Sequence, residues 1–286
     1  DAVTAVLLIT PMTISLCRRI HVTPIPTLIA EILLSNIGGS GTMVGDPPNV
    51  MIGSATHLDF NDFLINLAPV VVITVIVILI AVLLIFKNDF SSVRMSAKEL
   101  EKIDIMSGVE DKSIFSRSLM VLAFTVLGFV VHSHFGLESA TVAMTGGMAA
   151  LLFCGINPED ALKEVDLDTL MFFMGLFILV GGMENAGVIT AIAEKGIEMV
   201  DGDSHLITFL ILLLSGVASA FVDNIPFTAT MIPLIQDMQS LMNLPHADYM
   251  WWALATGACF GGNGTMIGAS PNVIMVAIAA KEGFNI

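Results

Sequence analysis

The segment "GGSGTMVGDPPNV" (Gly38–Val50) interrupts an otherwise apolar stretch, and the rest of the chain is interpreted from it. It returns as "GGNGTMIGASPNV" (Gly261–Val273), with nine of thirteen positions identical at a constant offset of 223 residues. A looser match, at an offset of 222, joins "DAVTAVLLITP" (Asp1–Pro11) to "DNIPFTATMIP" (Asp223–Pro233) and keeps the leading Asp and the closing Pro. The chain therefore contains an internal repeat, and each copy carries a polar tip followed by a broken helix.

The composition places this repeat in a membrane protein. Of the 286 residues, 55% are hydrophobic and 13% are charged, whereas soluble domains carry roughly 25% charged residues. Several uncharged runs approach or exceed the ~20 residues that cross a bilayer as helix. These runs are Phe63–Phe86, Ser118–Leu137, Ser139–Asn157, Ser204–Val222 and Tyr249–Ala280. They lack the apolar–polar alternation of a barrel strand, so we predict an all-α, multi-pass integral membrane protein.

The charge and the cysteines add little to this prediction. We interpret the net charge of −15 as acidic loops, and we expect no nucleic-acid partner. Cys17, Cys154 and Cys259 lack metal-ligand spacing and are expected to be small buried hydrophobic residues. The chain opens on Asp1 without a visible signal peptide, so we expect its first membrane segments to be missing.

The basic residues predict an orientation. In the first half we predict a hairpin arm (Ala5–Cys17), a broken crossing (Thr27–Thr56), a crossing (Phe63–Phe86) and a charged loop (Lys87–Arg117). Two short crossings (Ser118–Val131 and Ser139–Phe153), another crossing (Asp168–Gly187) and an amphipathic surface helix (Val188–Val200) follow. The chain then forms a hairpin (Ser204–Leu241) and a second broken crossing (Tyr249–Ala280). Ten of the eleven Lys and Arg residues then face one side, as expected of a cytoplasmic face. The two hairpins open to opposite sides, so the repeats are inverted.

The same topology divides the chain. Residues 1–86 form the first repeat, and residues 87–117 form a cytoplasmic loop. Residues 118–286 form the second repeat, with its hairpin at 204–241 and its broken helix at 248–281. The expected location is the cell (inner) membrane.

The glycines and prolines of the repeated segment predict unwound helix. Glycine permits close backbone approach and proline stops the preceding turn. The freed N–H and C=O groups are tolerated in a membrane only when buried in protein or lining a wet cavity, and such helix ends bind ions. Side chains with further neutral oxygens are Ser40, Thr42, Asn49, Asn263, Thr265 and Asn272. The alternative is a glycine-rich surface for helix packing, but the Pro-Asn pair at the same place in both copies argues against it.

Two carboxylates accompany these segments. Asp46 and Asp223 lie near the predicted midplane without Lys or Arg close in sequence, and an intramembrane ionisable residue is a functional hypothesis by default. Asp223 has a structural alternative as the N-cap of the following hairpin arm. For Asp46 the structural alternative is that it serves as a turn residue before Pro47.

Other ionisable residues carry weaker hypotheses. Glu31 and Glu184 lie toward the ends of apolar segments, where we expect their side chains to reach the interface. His132 and His134 lie in the short predicted loop "HSHFGLE" and are expected to be solvated.

Three segments resemble the signature segments of the ion transporter superfamily. They are "AEILLSNIGGSGTMVGDPPNV" (Ala30–Val50), "VDNIPFTATMIPLI" (Val222–Ile235) and "GACFGGNGTMIGASPNV" (Gly257–Val273). They are most similar to the branch of the melanosomal P protein, the arsenite permease ArsB and the sodium/proton antiporter NhaD, which has a citrate-transporter-like domain. The resemblance implies a homodimeric, elevator-type secondary transporter in the lipid bilayer, with a scaffold domain and a transport domain of two inverted repeats. It also implies helices before the first hairpin and a last helix after residue 286, which we expect to be absent from this sequence.

The resemblance also implies a site. The tips Asp1–Thr4 and Asp223–Pro226 and the unwound loops Ser40–Asn49 and Asn263–Asn272 would enclose the substrate. The binding residues implied are Asp1, Thr4, Ser40, Thr42, Asp46, Asn49, Asp223, Asn224, Asn263, Thr265 and Asn272. The first tip departs from the Asp-Asn of relatives, since it reads Asp1-Ala2 and lacks the side-chain amide.

Since no Lys or Arg occurs in either loop or tip, we expect the site to suit a cation or a neutral solute. The leading hypothesis is a proton- or sodium-coupled transporter of a small inorganic ion or arsenite, with Asp46 and Asp223 as coupling carboxylates. It would be neither an enzyme nor dependent on a cofactor other than a coupling ion, Na⁺ or H⁺, at the unwound loops.

Three alternatives remain open: a Na⁺-coupled carboxylate (citrate-like) transporter, a passive anion channel and an intramembrane aspartyl protease. The protease needs two aspartates that share a proton. Against it, Met43 replaces the first Gly of a Gly-x-Gly-Asp motif, and Asp223 lacks the Tyr-Asp context.

Overall fold

Helices account for every regular element in the part of the chain that the computed structural model describes, which comprises residues 2–20, 22–87, 89, 111–163, 165, 167–244 and 247–285. The all-α prediction is therefore confirmed. Asp1 and most of the predicted loop 87–117 lie outside the described residues.

The chain divides into two compact units. One contains Asp1–Leu58, Asp62–Arg94 and Gly175–Ile286, and the other contains Asp59–Asn61 and Met95–Met174. In chain order the described α-helices are α1 (Ala2–Arg19), α2 (Ile25–Gly39), α3 (Pro47–Ala55), α4 (Phe60–Asn66), α5 (Ala68–Ile85), α6 (Lys112–Val131), α7 (Ser139–Phe153), α8 (Pro158–Lys163), α9 (Leu167–Asn185), α10 (Val188–Met199), α11 (Ser204–Ser219), α12 (Asn224–Leu241), α13 (Asp248–Gly261) and α14 (Ser270–Lys281). Both copies of the repeated segment lie in the first unit, while the predicted division into repeats stays a prediction.

The first broken helix is present where the sequence predicts it. Helix α2 ends at Gly39, residues 40–46 form the first unwound loop, and α3 begins at Pro47. A proline suits the first helical turn because the N–H that it lacks would have no intrahelical partner there. Asn49 therefore belongs to the first turn of α3, and the predicted loop Ser40–Asn49 is three residues too long.

The second broken helix has the same design. Helix α13 ends at Gly261, the second unwound loop spans residues 262–269 and starts with a short 3₁₀ turn, and α14 begins at Ser270. Asp46 (φ −145°, ψ 141°) and its counterpart Ala269 (φ −152°, ψ 145°) share one extended backbone conformation immediately before the helix. Asn272 again lies in the first helical turn rather than in the loop.

Two glycines close each loop. A Cβ atom on Gly45 would lie 2.2 Å from the carbonyl oxygen of Gly39, and a Cβ on Gly268 would lie 2.7 Å from that of Gly262. These pairs occupy equivalent positions at the offset of 223 residues. The ends of each unwound loop thus approach too closely for any side chain, which is why glycine is required at both positions.

The two broken helices pack reciprocally. Helix α3 contacts α12 and α13 of the second repeat, and α14 contacts α1 and α2 of the first. A cluster of buried apolar residues joins α1, α2 and α14: Val6, Ile14, Leu28, Met275 and Ala279. Helices at equivalent positions of the two copies thus make equivalent contacts, as a two-fold relation between the copies would produce.

The second hairpin, predicted at 204–241, consists of α11 and α12 and is joined by residues 220–223, so the predicted tip Asp223–Pro226 lies mostly in the first turn of α12. Helix α11 packs closely on α13, because a Cβ on Gly261 would lie 2.4 Å from the carbonyl oxygen of Gly216, and one on Gly257 would lie 2.6 Å from the Cβ of Ser215. The packing role considered for the glycines thus applies to Gly261, whereas its counterpart Gly38 has nothing within 4 Å.

Several helices suit a bilayer. Within the described ranges, three are long and apolar enough to span one: Ala2–Arg19, Ala68–Ile85 and Lys112–Phe135. Leu170–Asn185 and Val188–Met199 pass the same test together but are bent by 66°. The predicted crossing Phe63–Phe86 is divided at Leu67, since α4 ends at Asn66 and α5 begins at Ala68 with Pro69 in its first turn.

One expectation is corrected. His132 is buried, with its ring Nδ1 2.7 Å from the carbonyl oxygen of Phe129, while His134 is exposed as expected. Helix α10 packs one face on α12, where the Thr190 hydroxyl donates to an Asp237 carboxylate oxygen at 2.6 Å, and its other face is exposed, so the predicted surface position stays a prediction. The three cysteines are buried, as predicted.

The glycine contacts predict a position-specific loss of stability. Gly45→Ala should destabilise the protein by about 1–3 kcal/mol, because the new methyl group overlaps the Gly39 carbonyl and the loop must widen. Gly38→Ala is the matched control, since open space surrounds that position. Thermal unfolding of the two variants in detergent measures the difference, and equal midpoints would contradict the proposed closure of the loop.

Candidate ion and substrate site

One asparagine fixes each unwound loop to the helix that follows it. Asn49 Nδ2 donates to the carbonyl oxygens of Ser40 and Thr42, both at 2.9 Å. Its counterpart Asn272 donates to those of Gly262 (2.7 Å) and Thr265 (2.9 Å). Each side chain uses both of its N–H groups in this way, and both are buried. The Thr42 and Thr265 carbonyls also accept from the N–H groups of Gly45 and Gly268, so each asparagine joins a turn within its loop to the helix that follows.

The amide oxygens of the same two side chains face the other repeat. Asn36 Nδ2 of α2 donates to Asn272 Oδ1 at 2.8 Å and to Asn263 Oδ1 at 2.9 Å. At the equivalent position of α13, Cys259 Sγ lies 3.9 Å from Asn49 Oδ1. Each unwound loop is therefore held by the broken helix of the opposite repeat, through an amide in one case and a weak thiol donor in the other.

Asp46 and Asn224 come together from opposite repeats. The Asp46 carboxylate is 4% exposed, and its Oδ2 accepts from Asn224 Nδ2 at 3.3 Å. Although Asp46 occupies the N-cap position of α3, its side chain makes no capping hydrogen bond. The backbone of Asp46 thus fits the alternative interpretation, in which Asp46 is a turn residue. Its carboxylate, however, contacts the second tip, by which we mean from here on residues 220–226, the connection between α11 and α12 with the first turn of α12.

Asp223 combines a structural and a bridging contact. Its Oδ1 accepts from the backbone N–H of Ile225 at 3.0 Å, so it caps α12 as the alternative interpretation predicted. Its Oδ2 accepts from the Ser270 hydroxyl at 3.1 Å, which joins the second tip to the start of α14. Thr265 Oγ1 adds a third link, since it donates to the carbonyl oxygen of Ala220 in the same tip.

The structure shows no link between the two repeats through the described side chains of Thr4, Ser40 and Thr42, the other predicted site residues. Thr4 is exposed on α1, and Asp1 lies outside the described residues. The Ser40 hydroxyl is buried and donates to the Ile37 carbonyl oxygen at 2.7 Å, and Thr42 is partly exposed. The contacts of Asp46, Asn49, Asp223, Asn224, Asn263, Thr265 and Asn272 thus link the two loops and the second tip into one cluster.

The first tip meets its loop through backbone atoms. Ala2 donates its N–H to the Gly45 carbonyl oxygen at 3.3 Å and accepts from the Ser35 hydroxyl at 3.1 Å. A cavity of about 310 Å³ adjoins this contact and is lined in part by Gly38, Gly39 and Gly45. Ala2 therefore offers no side-chain oxygen to this cavity.

The sequence interpretation missed three residues of the cluster. Asn36, Cys259 and Ser270 each make a hydrogen bond that joins two elements of the cluster. Asn36 and Cys259 occupy equivalent positions two residues before the glycine pairs, and Ser270 is equivalent to Pro47. A comparison of the exchanged positions of the repeat, rather than the identical ones, would have found them.

Glu31 also differs from its prediction. Its two carboxylate oxygens accept from the hydroxyls of Thr10 (2.7 Å) and Thr13 (3.1 Å) of α1. The carboxylate is therefore bonded between two helices instead of reaching alone to the interface. Glu184 is exposed, as expected.

The asparagine contacts predict a large local cost. Asn272→Ala should destabilise the protein by about 2–4 kcal/mol, because it removes the hydrogen bonds to the Gly262 and Thr265 carbonyls and one of the two acceptors of the Asn36 amide. Asn66→Ala is the control, since it removes a comparable bond to the Asp62 carbonyl oxygen on an exposed surface and should change stability by less than about 0.5 kcal/mol. Denaturant unfolding compares the two, and a similar loss in both would refute the role of Asn272.

Comparison with known proteins identifies the family. The model of the citrate transporter family CitMHS matches residues 1–257. An uncharacterized transporter of Mycobacterium tuberculosis is 40% identical over 289 residues, which cover 99% of this chain and 66% of that protein. The P proteins of mouse and human are 32% and 31% identical over 363 and 368 residues, covering 99% of this chain but 44% and 43% of their own length.

The chain thus spans about two thirds of the mycobacterial transporter and less than half of the P proteins. Similarity to the P proteins confirms the resemblance drawn from the three signature segments. Since the family model covers most of the chain, the chain belongs to the citrate transporter (CitMHS) family of membrane transporters.

Proposed function

We propose that the chain forms the ion- and substrate-binding part of a secondary active transporter in which Asp46 and Asp223 couple transport to H⁺ or Na⁺. The observation that carries this proposal is the Asp46 carboxylate, which is 4% exposed and meets the second tip of the opposite repeat. A buried carboxylate is costly unless a cation or a proton neutralises it. No Lys or Arg lies in either unwound loop or the second tip, all of which are described, so a mobile cation supplies that charge.

The contacts suggest how binding would act on the tip. Asn224 donates to Asp46, and Ser270 donates to Asp223 of the same tip. Hydrogen bonds to an ionised carboxylate are roughly twice as strong as neutral ones. Protonation of Asp46, or its capture by Na⁺, would weaken the bond from Asn224 and release the tip from the first loop. Occupancy of the carboxylate would in this way control the hairpin that covers the substrate.

The charge of the site favours a cation, a small inorganic ion or neutral arsenite as substrate. An anion placed beside Asp46 and Asp223 would meet like charge in surroundings of low dielectric constant. The family description, citrate transporter, favours a second candidate, a Na⁺-coupled carboxylate carrier. In that case cations must be bound together with the carboxylate in order to offset the two aspartates.

The proposed setting is a homodimer of elevator type in the cell (inner) membrane, with loop 87–117 in the cytoplasm. The asymmetry of Lys and Arg supports this orientation, and the reciprocal packing of α3 and α14 supports a two-fold relation between the repeats. The apolar helices α1, α5 and α6 support direct contact with the lipid bilayer.

Removal of either carboxylate should uncouple the transporter. In full-length protein reconstituted in vesicles with a pH-sensitive dye, we expect Asp46→Asn and Asp223→Asn to lower substrate-driven proton flux by about tenfold or more, equal to about 1.4 kcal/mol. Asp203→Asn is the control, because Asp203 caps α11 through the N–H groups of His205 and Leu206 but lies at the other end of the hairpin. If both site variants keep the flux of the unmodified protein, the assignment is wrong.

The same vesicles identify the substrate. We expect an imposed Na⁺ or arsenite gradient to move protons and a citrate gradient to leave the dye unchanged, since the described site residues include no cationic side chain. Citrate uptake that depends on Na⁺ would favour the second candidate instead. Solute flux that no ion gradient can drive uphill would indicate a passive channel.

A further inference from the structure

Asn36 brings two side-chain oxygens of the second loop together. It lies in the last turns of α2, is 1% exposed, and belongs to the first repeat. Its Nδ2 is 2.9 Å from Asn263 Oδ1 and 2.8 Å from Asn272 Oδ1. A single –NH₂ group therefore collects two amide oxygens from the opposite repeat.

The orientation of these amides follows from their other partners. Asn272 uses both of its N–H groups on the carbonyl oxygens of Gly262 and Thr265, and Asn263 Nδ2 lies 3.5 Å from that of Leu33. Both side chains consequently turn their oxygens toward Asn36. Asn36 has to present its N–H groups in return, because an oxygen in that place would leave three acceptors facing one another.

Around the first loop, the residues equivalent to Asn36, Asn263 and Ala269 are all different. Cys259 replaces Asn36, and its sulfur is 3.9 Å from Asn49 Oδ1. Ser40 replaces Asn263, and its hydroxyl is committed to the Ile37 carbonyl oxygen. Asp46 replaces Ala269 and adds a carboxylate. The first loop therefore offers a weakly engaged amide oxygen beside a negative charge, whereas the second loop offers two amide oxygens that a strong donor already holds.

We propose that the Asn36 amide stands in for a cation in the second unwound loop, so that the transporter binds its coupling cation at the first loop alone. Side-chain amide oxygens are ordinary ligands of hard cations, and the two partly positive hydrogens of an –NH₂ group gather such oxygens without adding net charge. A cation that entered the second loop would have to displace these hydrogens and leave them buried and unbonded. This inference rests on the proposed binding of a cation at the unwound loops.

The proposal gives the structural repeat an unequal pair of sites. The backbone of the two loops is alike, with paired glycines and a clamping asparagine in each. The charge of the two loops differs, since the first loop contains Asp46 and the second contains none of Asp, Glu, Lys or Arg. One cation per protomer would then neutralise Asp46, while the second loop remains a fixed, neutral anchor for the second tip.

Asn36→Asp tests this inference directly. It preserves size but replaces the –NH₂ group by an oxygen that faces Asn263 Oδ1 and Asn272 Oδ1, an arrangement that a bound cation stabilises. Equilibrium binding of radioactive Na⁺ to the purified full-length transporter, with choline as the inert cation, measures the number of sites. We expect the unmodified protein to bind one Na⁺ per protomer and Asn36→Asp to bind one more, since a ligand specific for the folded site binds stoichiometrically at saturation.

Two further variants locate the added site. In the double variant Asn36→Asp with Asp46→Asn, the added Na⁺ should remain while the original one is lost. Asn185→Asp is the matched control, because it adds a carboxylate at an exposed asparagine that donates only to the Gly181 carbonyl oxygen, and it should add no Na⁺. Asn36→Cys, which copies the first loop, replaces Asn36→Asp if size-exclusion chromatography shows that the latter does not fold.

The outcomes separate the two proposals. Unmodified protein that binds two Na⁺ per protomer, or folded Asn36 variants that bind no more Na⁺ than the unmodified protein, would overturn the role of Asn36. If the unmodified protein binds none and Asn36→Asp binds one, the role of Asn36 stands. Na⁺ is then excluded as the ion at Asp46, and H⁺ remains as the coupling ion of the proposed function.

Discussion

The amide group of one asparagine in each repeat is the constraint on which the site depends. Where a helix unwinds inside a membrane, its backbone N–H and C=O groups lose their partners without water to replace them. Asn49 and Asn272 each donate to two carbonyl oxygens of the unwound loop while lying in the first turn of the following helix. The position of the second tip follows from this, because Asn224 and Asp223 meet groups at the start of these same helices.

The two copies of the repeat share the residues that shape the backbone but differ in the side chains that carry charge and hydrogen-bonding groups. Paired glycines close both loops, and proline lies in the first turn of both following helices. The exchanges of Asp46 for Ala269 and of Asn36 for Cys259 change charge and hydrogen-bonding strength within this common frame. Duplication thus supplies a backbone on which one copy carries the carboxylate and the other does not.

The features that the sequence predicted are local ones. Both broken helices and the second hairpin follow from glycine, proline and apolar runs within a few tens of residues, and the resemblance placed most of the site residues near one another. The boundaries failed by three residues at Asn49 and at Asn272, because proline permits the helix to begin earlier than the polar pattern suggests. The contacts of Asn36 could not be assigned, since its partners are 227 and 236 residues away, and only its exchange for Cys259 in the other copy of the repeat marks the position in the sequence. The bonding of Glu31 depends on packing in the same way, since its partners Thr10 and Thr13 lie on another helix.

The hydrogen bonds of Asn49 and Asn36 also differ in when they can form. Asn49 reaches carbonyls only 7 and 9 residues earlier, so its clamp forms as soon as α3 has been synthesised. Asn36 and Asp46 can form their hydrogen bonds only after much more of the chain has been synthesised, because their partners are Asn263 and Asn272 for the former and Asn224 for the latter. During membrane insertion the first broken helix must therefore persist as a locally bonded but half-assembled element, with an uncovered amide and carboxylate. Lipid solvates both groups poorly, so this interval is the one in which the nascent protein depends most on the insertion machinery or on a water-filled passage.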